Sequence, residues 1–418
     1  MIVGILGSGG REHAICVSLK KSKKIKKIYC FPGNAGTSTM AENFNIDLND
    51  FEKIKDFVLI KKIDLVVIGP EKPLVDGITD YLESFGIKVF GPNKIASQLE
   101  GSKIFTKNIC KKYNIPTANF GIFNTEEEAK IFLDKSKFPI VIKADNLAAG
   151  KGVYICENKD QSNQAVKEIF DGKFGKAKNV LIEEFLEGEE MSFFIISDGK
   201  SYKKFGTAQD HKRVLEGDRG KNTGGMGAYS PAPIIDEDIH QKIINEVMKP
   251  TMQGLISEGS PYLGFLYAGL MIKNGELKVL EFNCRFGDPE TQPILLRLKS
   301  SLVDLCLAAI KNDLDSYEIE WTDKHSCGVV IASEGYPESY ESNKEITLPE
   351  HEEAETKLFH AGTKLVDGKV LTSGGRVFCA TALGDSLKEA QFKAYNLVDK
   401  VSFDGAFYRR DIGFKGIK

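Results

Sequence analysis

The chain has 418 residues, 42% of them apolar and 28% charged, and a formal net charge of −3. That length exceeds what one hydrophobic core organises, so about two to four domains are expected. The near-neutral, slightly acidic balance argues against a general nucleic-acid or membrane-surface binder. The N-terminus, MIVGILGSGG, reads as a strand and is too short for a signal peptide, and no run approaches the ~18 apolar residues of a membrane span. A cytoplasmic protein with neither nucleic acid nor membrane as partner is expected. The eight cysteines are dispersed, with no C-x-x-C pair and no neighbouring His cluster, and read as reduced thiols without a disulfide framework or zinc site.

In chain order, Ile2 to Leu6 predicts an apolar strand, and Gly7-Ser8-Gly9-Gly10 opens a helix carrying Arg11, Glu12 and His13. A glycine-rich turn at a helix N-terminus offers backbone N–H groups to an anion. The pattern departs from a dinucleotide fingerprint. The third glycine of G-x-G-x-x-G would fall at Glu12, and the next strand, Ile25 to Phe31, ends in Pro32-Gly33-Asn34 where a ribose-binding acid is required. Phosphate without NAD is therefore the expectation, with Arg11 joining the turn. The basic run Lys20 to Lys27 reads as a solvated face. Further strands at Asp64 to Ile68 and Ile87 to Phe90 run into Gly69-Pro70-Glu71 and Gly91-Pro92. Strand, turn and helix alternating at about 30-residue spacing predicts a doubly wound parallel sheet, with ligands at the carboxyl ends of its strands.

After Ser102-Lys103 a helix leads to the linker Ile115-Pro116-Thr117. A strand (Phe138 to Lys143), a small-residue loop, a strand (Val153 to Cys156), a helix (Gln161 to Phe170) and a strand (Val180 to Glu184) follow. The loop Ala149-Gly150-Lys151-Gly152 could close its backbone over a polyphosphate, although the P-loop pattern G-x-x-x-x-G-K-[ST] is absent. Lys143, ending an otherwise apolar strand, is costly to bury without an anion partner. Val180 to Leu186 followed by Glu190 places a strand, an extended hinge and an acid in order; such a hinge can offer backbone groups to an adenine edge and a carboxylate can accept ribose hydroxyls, while alone the segment also reads as a common acidic loop. Ala208 to Pro233, AQDHKRVLEGDRGKNTGGMGAYSPAP, has no amphipathic period and is expected to be an ordered functional loop. Tyr262 to Ile272 and Leu277 to Phe282 predict a hairpin. From about His325 a last domain follows, with strands at Gly328 to Ala332 and Arg376 to Ala382, a helix at Leu387 to Val401 and the tail YRRDIG at Tyr408 to Gly413.

The hairpin ends in Lys278 to Pro293, KVLEFNCRFGDPETQP. Glu281 and Asn283, two apart on a strand, share a face. A carboxylate and an amide oxygen side by side suit Mg²⁺, which shares its shell between side chains, nucleotide phosphates and water. Arg285, Gly287, Asp288 and Glu290 follow at once. No Ser, Cys or His is arranged as a covalent nucleophile, so the expected chemistry is positioning and charge neutralisation, as in phosphoryl transfer. His13 and His211 are either proton acceptors or hydrogen-bonded structural histidines.

These pieces stand in the order of the ATP-grasp ligases, and the chain resembles most closely the glycinamide ribonucleotide synthetase (phosphoribosylamine–glycine ligase) family. The motifs span the whole length: GSGGREHA at 7–14, PGNAGT at 32–37, GPE at 69–71, SK at 102–103, KADNLAAGKGV at 143–153, IEEFLEGEE at 182–190, AQDHKR, NTGGMGAYSPAP, GFLYAGLM at 264–271, LEFNCRFGDPETQ at 280–292, HAGT at 360–363 and YRRDIG. The resemblance implies an α/β doubly wound N-terminal domain over 1–102, an ATP-grasp domain over 103–322 with a mobile lid at about 119–187, and an α+β C-terminal domain over 323–418. It implies that glycine is joined to 5-phosphoribosylamine at the expense of ATP, through an acyl phosphate, in purine biosynthesis. Lys103, Lys143, Ala149, Gly150, Lys151, Gly152, Glu183, Glu184, Phe185, Leu186 and Glu190 would hold ATP, and Glu281 and Asn283 would hold Mg²⁺ or Mn²⁺. Arg285, Lys143 and Asp210 would be catalytic. Ser8, Gly9, Gly10, Arg11, Asn34, Gly36, Glu71, Lys212, Arg213 and Asp288 would meet the small-molecule substrates, and a monomer is expected. Two positions depart from the pattern. The strand Tyr267 to Met271 lacks the metal-binding acid that many ATP-grasp enzymes carry there, and Lys221 stands where proline is expected. Other ATP-grasp ligases or carboxylases, and a nucleotide-binding module without turnover, are the rival readings.

Overall fold

A computed structural model describes residues 1–145, 152–175 and 178–417. Among them no helix is long and apolar enough to cross a membrane. The first unit is built on β1 (Ile2–Gly7), β2 (Lys27–Pro32), β3 (Glu42–Asn43), β4 (Leu65–Ile68) and β5 (Val89–Phe90). They pair in parallel in the order β3-β2-β1-β4-β5. Val3, Ile5, Leu6, Leu65 and Val66 are fully buried, as a parallel sheet covered on both faces requires. The ends of β1, β2 and β4 bring Ser8, Pro32 and Pro70 to one edge, where they line an open cleft of about 650 Å³ together with Asn45 to Asn49, Lys53 and Lys72.

The helix Lys103–Lys112, capped by Ser102 Oγ accepting from Phe105 N–H, leads into a small four-stranded sheet. Its strands β6 (Phe120–Phe123), β7 (Ile140–Ala144), β8 (Val153–Cys156) and β9 (Val180–Glu184) run in the order β6-β9-β7-β8, all antiparallel. The helices Glu126–Leu133 and Lys159–Phe170 cover it. Ala129, Leu133, Ile142, Val166, Ile169 and Ile182 give this unit a hydrophobic cluster of its own.

The remaining strands are β10 (Glu189–Asp198), β11 (Tyr202–Asp210), β12 (Arg213–Leu215), β13 (Arg219–Asn222), β14 (Gly227–Ser230), β15 (Leu263–Lys273), β16 (Glu276–Asn283), β17 (His325–Ser333), β18 (Thr356–His360), β19 (Thr363–Val366), β20 (Lys369–Thr372), β21 (Arg376–Gly384) and β22 (Ala406–Phe407). Nine of them form one sheet, in the order β16-β15-β10-β11-β14-β17-β21-β18, with β22 beside β17. The last domain thus adds no separate layer: β17 pairs with β14 and prolongs the central sheet. The segment read as a long loop, 208–233, is largely strand. Its middle closes as the hairpin β12–β13, and its end pairs with β17, about a hundred residues on, a partner that no local pattern announces. Gly227 (φ +154°) permits this approach, since a Cβ there would lie 2.6 Å from the carbonyl oxygen of Gly328.

Candidate active site

The hairpin β15–β16 carries a register shift opposite Gly269 and Leu270, so that Val279 and Glu281 face them and Leu280 is the extra residue. Beyond it, Glu281 and Asn283 share a face. The Glu281 side chain is 49% exposed, Asn283 is buried, and Asn283 Nδ2 lies 3.4 Å from Glu281 Oε1. Burial pulls the Glu281 carboxyl upward, but Lys212 and Lys143, with Asn283 and Lys103, more than offset it and hold the acid below its ordinary range. An ionised carboxylate beside an amide is a set of hard oxygen donors that fits Mg²⁺ with phosphates and water completing the shell. Among the described residues no group of three or more His, Cys, Asp or Glu could hold a metal.

Three lysines converge on this point. Lys212 lies 3.9 Å from Glu281 Oε1 and pairs with Glu190. Lys103 opens its helix, and its ammonium is lowered chiefly by burial, with Glu281 drawing it back up. Lys143 Nζ sits 2.5 Å from Glu183 Oε2. The Glu183 carboxylate is therefore committed to lysines, and its backbone lies in the interior strand β9, opposite Phe120 on β6 and Val141 on β7, so the hinge open to a ligand begins after it. Glu184 accepts from Asn119 N–H and Nδ2, both at 3.0 Å, and from Lys278 Nζ at 2.5 Å. Among the described residues no hydrogen bond engages the backbone of Phe185 or Leu186, and Phe185 is exposed. Gly152 precedes β8, whereas Ala149, Gly150 and Lys151 lie outside the described residues.

Asp210 ends β11. Burial raises its carboxyl well above the usual range, against the pull of Lys212, with Glu290 adding to the rise. Glu290 is itself buried and raised, and accepts from Ser192 Oγ at 3.2 Å. Arg285 is clamped by two acids of the first unit, Nε on Glu71 at 3.2 Å and Nη2 on Glu100 at 2.5 Å. Burial opposes its charge, but Glu100 and Glu71 raise its pKa overall. Glu71 in turn is held to about 2, burial being outweighed by Arg285 and Arg11.

The glycine-rich turn differs from expectation. Gly9 N–H donates to Glu12 Oε2 at 2.5 Å and Arg11 N–H to Asp288 Oδ2 at 3.3 Å, so two donors of the expected anion nest already face carboxylates. Gly7 and Gly69 exist to admit Glu12: a Cβ on Gly69 would lie 2.0 Å from its Oε1. The Arg11 guanidinium does not reach the turn's mouth, because it is buried with Nε on Glu12 at 2.6 Å and Nη1 on the Phe286 carbonyl at 3.1 Å. Gly10 is packed against Gln292, while Ser8 is exposed on the 650 Å³ cleft. Asn34 is likewise spent internally. Its Nδ2 donates to the carbonyls of Ser8 and His360, each at 2.9 Å, and its Oδ1 accepts from the N–H groups of Gly36 and Thr37. Gly36 is buried against the His13 ring. Arg213 Nη1 turns to the Gly220 carbonyl within the β12–β13 hairpin. His13 Nδ1 accepts from His360 N–H, and His211 Nε2 from Gly413 N–H; both rings are buried with lowered pKa values, burial being the main cause, and act as structural acceptors.

Sequence reasoning missed four residues that build the site. Lys107 pairs with Glu183, and its signal was present as the helical i+4 neighbour of Lys103. Glu100 holds Arg285 and accepts from Cys284 N–H at 2.8 Å. Arg376 donates to the Asp288 carbonyl at 2.6 Å across 88 residues, with no local signature. Tyr267, on the strand that lacks the acid, has its hydroxyl 3.0 Å from Ser192 Oγ.

Three domains of the phosphoribosylglycinamide synthetase family match in order: the N domain over residues 1–100, the ATP-grasp (A) domain over 101–291 and the C domain over 326–415. A phosphoribosylamine–glycine ligase of Pasteurella multocida is 50% identical over 422 residues, covering 100% of this chain and 98% of that protein. The crystal structure of a phosphoribosylamine–glycine ligase from Thermotoga maritima superposes with a TM-score of 0.88 at 38% identity, covering 99% of this chain and 100% of that one. The biotin carboxylase domain of the Hydrogenobacter thermophilus 2-oxoglutarate carboxylase shares the fold at 17% identity, with a TM-score of 0.76 over 97% and 91% of the two chains. The chain belongs to the phosphoribosylglycinamide synthetase family of ATP-grasp proteins.

Proposed function

We propose that the chain joins glycine to 5-phosphoribosylamine, giving glycinamide ribonucleotide, ADP and phosphate, in purine biosynthesis. The observation that carries this is identity of 50% along the whole chain with a protein named for that ligase activity. In the proposed sequence a glycine carboxylate oxygen attacks the γ-phosphorus of ATP, and ADP leaves. The amine nitrogen of phosphoribosylamine then attacks the glycyl carbonyl and loses a proton, and inorganic phosphate departs. Both encounters set anion against anion or need an oriented nucleophile, so fixed positive charge and alignment supply the acceleration.

Lys103 and Lys143 are assigned to the ATP phosphates, the backbone of Glu184 to Leu186 to adenine, and Glu190 to ribose once Lys212 turns from it to substrate. Glu281 and Asn283 would hold Mg²⁺, which would screen the phosphate charge when bound. Arg285, rigid between Glu71 and Glu100, and Lys212 face the reacting carboxylate. The phosphoribosyl end is assigned to the edge of the first sheet, at Ser8 and Glu71, with Glu12 and Asp288 bracing the turn through the N–H groups of Gly9 and Arg11. Arg11, Asn34 and Gly36 shape that edge from within. Steady-state phosphate release tests the proposal: turnover should require glycine and phosphoribosylamine together. Turnover with bicarbonate in place of glycine would reassign the chain to the carboxylases.

A further inference from the structure

Lys107 stands one turn after Lys103 on the helix Lys103–Lys112, so the two project from one face. Lys103 acts on Glu281, whereas the Lys107 side chain is 4% exposed, too deep to meet a ligand. Its ammonium pairs with Glu183 Oε1 and donates to Thr117 Oγ1 at 2.6 Å. Thr117 Oγ1 donates onward to the carbonyl of Val279 at 2.7 Å, on the strand that carries Glu281. The other Glu183 oxygen takes Lys143 at 2.5 Å. Glu183 is 3% exposed and Lys143 13%, so Lys143 is the one member of the triad that opens toward the site.

With Lys143 as its sole partner, the buried Glu183 carboxylate would cancel that lysine's charge and hold its ammonium in place. A second lysine changes the sum. Two cations against one carboxylate leave a net positive charge, and it resides on the group nearest the site. A buried ion triad contributes little net stability, because desolvation offsets most of the Coulomb gain. What the arrangement does supply is a Lys143 ammonium whose charge Glu183, shared with Lys107, does not fully cancel.

We infer that Lys107 is a positioning residue: by neutralising Glu183 it leaves Lys143 free to meet a phosphate, and through Thr117 it ties that lysine to the strand of Glu281. The inference rests on the assignment of ATP to this site. Calorimetric titration with ATP and with adenosine tests it. Lys107→Met should weaken ATP about tenfold or more while adenosine affinity stays within about twofold, since the hinge backbone is untouched. Adding Glu183→Gln should recover most of the lost ATP affinity, because the Glu183 carboxylate then no longer competes for Lys143. A merely structural Lys107 would weaken ATP and adenosine together, and the double variant would bind worse than the single one; either result overturns the inference. Should Lys107→Met fail to fold, the double variant, which removes the Glu183 carboxylate together with the Lys107 ammonium, decides alone: ATP affinity near that of the unsubstituted protein supports the role, and a loss of about tenfold or more refutes it. If the unsubstituted protein binds no ATP, the ATP assignment fails and not the inference alone.

Discussion

Glu281 is half exposed and pairs only loosely with its neighbours, so its substitution tests chemistry apart from folding. Glu281→Gln should lower turnover on the order of a hundredfold while the unfolding midpoint stays put, because the lost charge acts on the transition state and not on the core. Near-normal turnover would remove it from the metal assignment. Arg11 is the opposite case. Its guanidinium is buried against Glu12, with Glu71 3.9 Å away, so Arg11→Ala would leave a buried carboxylate without its cation. A stability loss of about 3–5 kcal/mol in urea titration is expected; unchanged stability with a raised KM for phosphoribosylamine would return Arg11 to the substrate. Residue types and spacings singled out Glu281, Asn283 and Lys143 as candidates, since each stands on a strand whose face can be counted, whereas Lys103 came only from the family resemblance. They could not show that Asn34 and Arg11 are consumed internally. That depends on His360 and Phe286, hundreds of residues away in the chain.

At the scale of elements, the four-stranded unit β6 to β9 has a hydrophobic cluster of its own and meets the rest of the molecule through polar links, Lys107–Glu183, Lys278–Glu184 and Ser102–Asp145 among them. A unit that keeps its core when displaced can move as a body, and ordered access to an enclosed nucleotide requires such movement. Hydrogen exchange should therefore slow at Phe185, Leu186 and β8 when a non-hydrolysable ATP analogue binds, with the interior strand β9 unchanged. Equal protection with and without the analogue would refute the lid. Three of this unit's four strands, β7, β8 and β9, were readable from short apolar runs between turns, whereas β6 was not. The strands of 208–233 were not, because glycine, Asp and Lys carry no strand signal and their pairing with β17 is set by tertiary contact.

At the scale of the whole molecule, one sheet spans the last two units, and the first is clasped to the last by a small buried network. His360 N–H donates to His13 Nδ1 at 2.8 Å, Asn34 Nδ2 donates to the His360 carbonyl, and His360 Nδ1 lies 3.1 Å from Thr363 Oγ1. Protonating His13 would abolish the acceptor that holds β18. Burial, reinforced by Lys357, pushes His360 down to about 4, and burial also lowers His13, with His360 and Lys357 adding to the effect. In the unfolded chain both titrate near 6.5. Between about pH 4 and 6.5 the unfolded state therefore binds more protons, so the clasp's contribution is complete above about pH 6.5 and is lost as the pH falls toward 4. For His360 the separation corresponds to about 3 kcal/mol at most. Buried acids with raised pKa values, Glu100, Asp210 and Glu290, act in the opposite sense, so total stability against pH does not isolate the clasp. A difference between variants does. Urea midpoints measured at about pH 7.5 and about pH 5 should fall further for the unsubstituted chain than for His360→Gln, which has no proton to gain at that position. Equal falls in the two proteins would show that the histidine clasp does not sense pH.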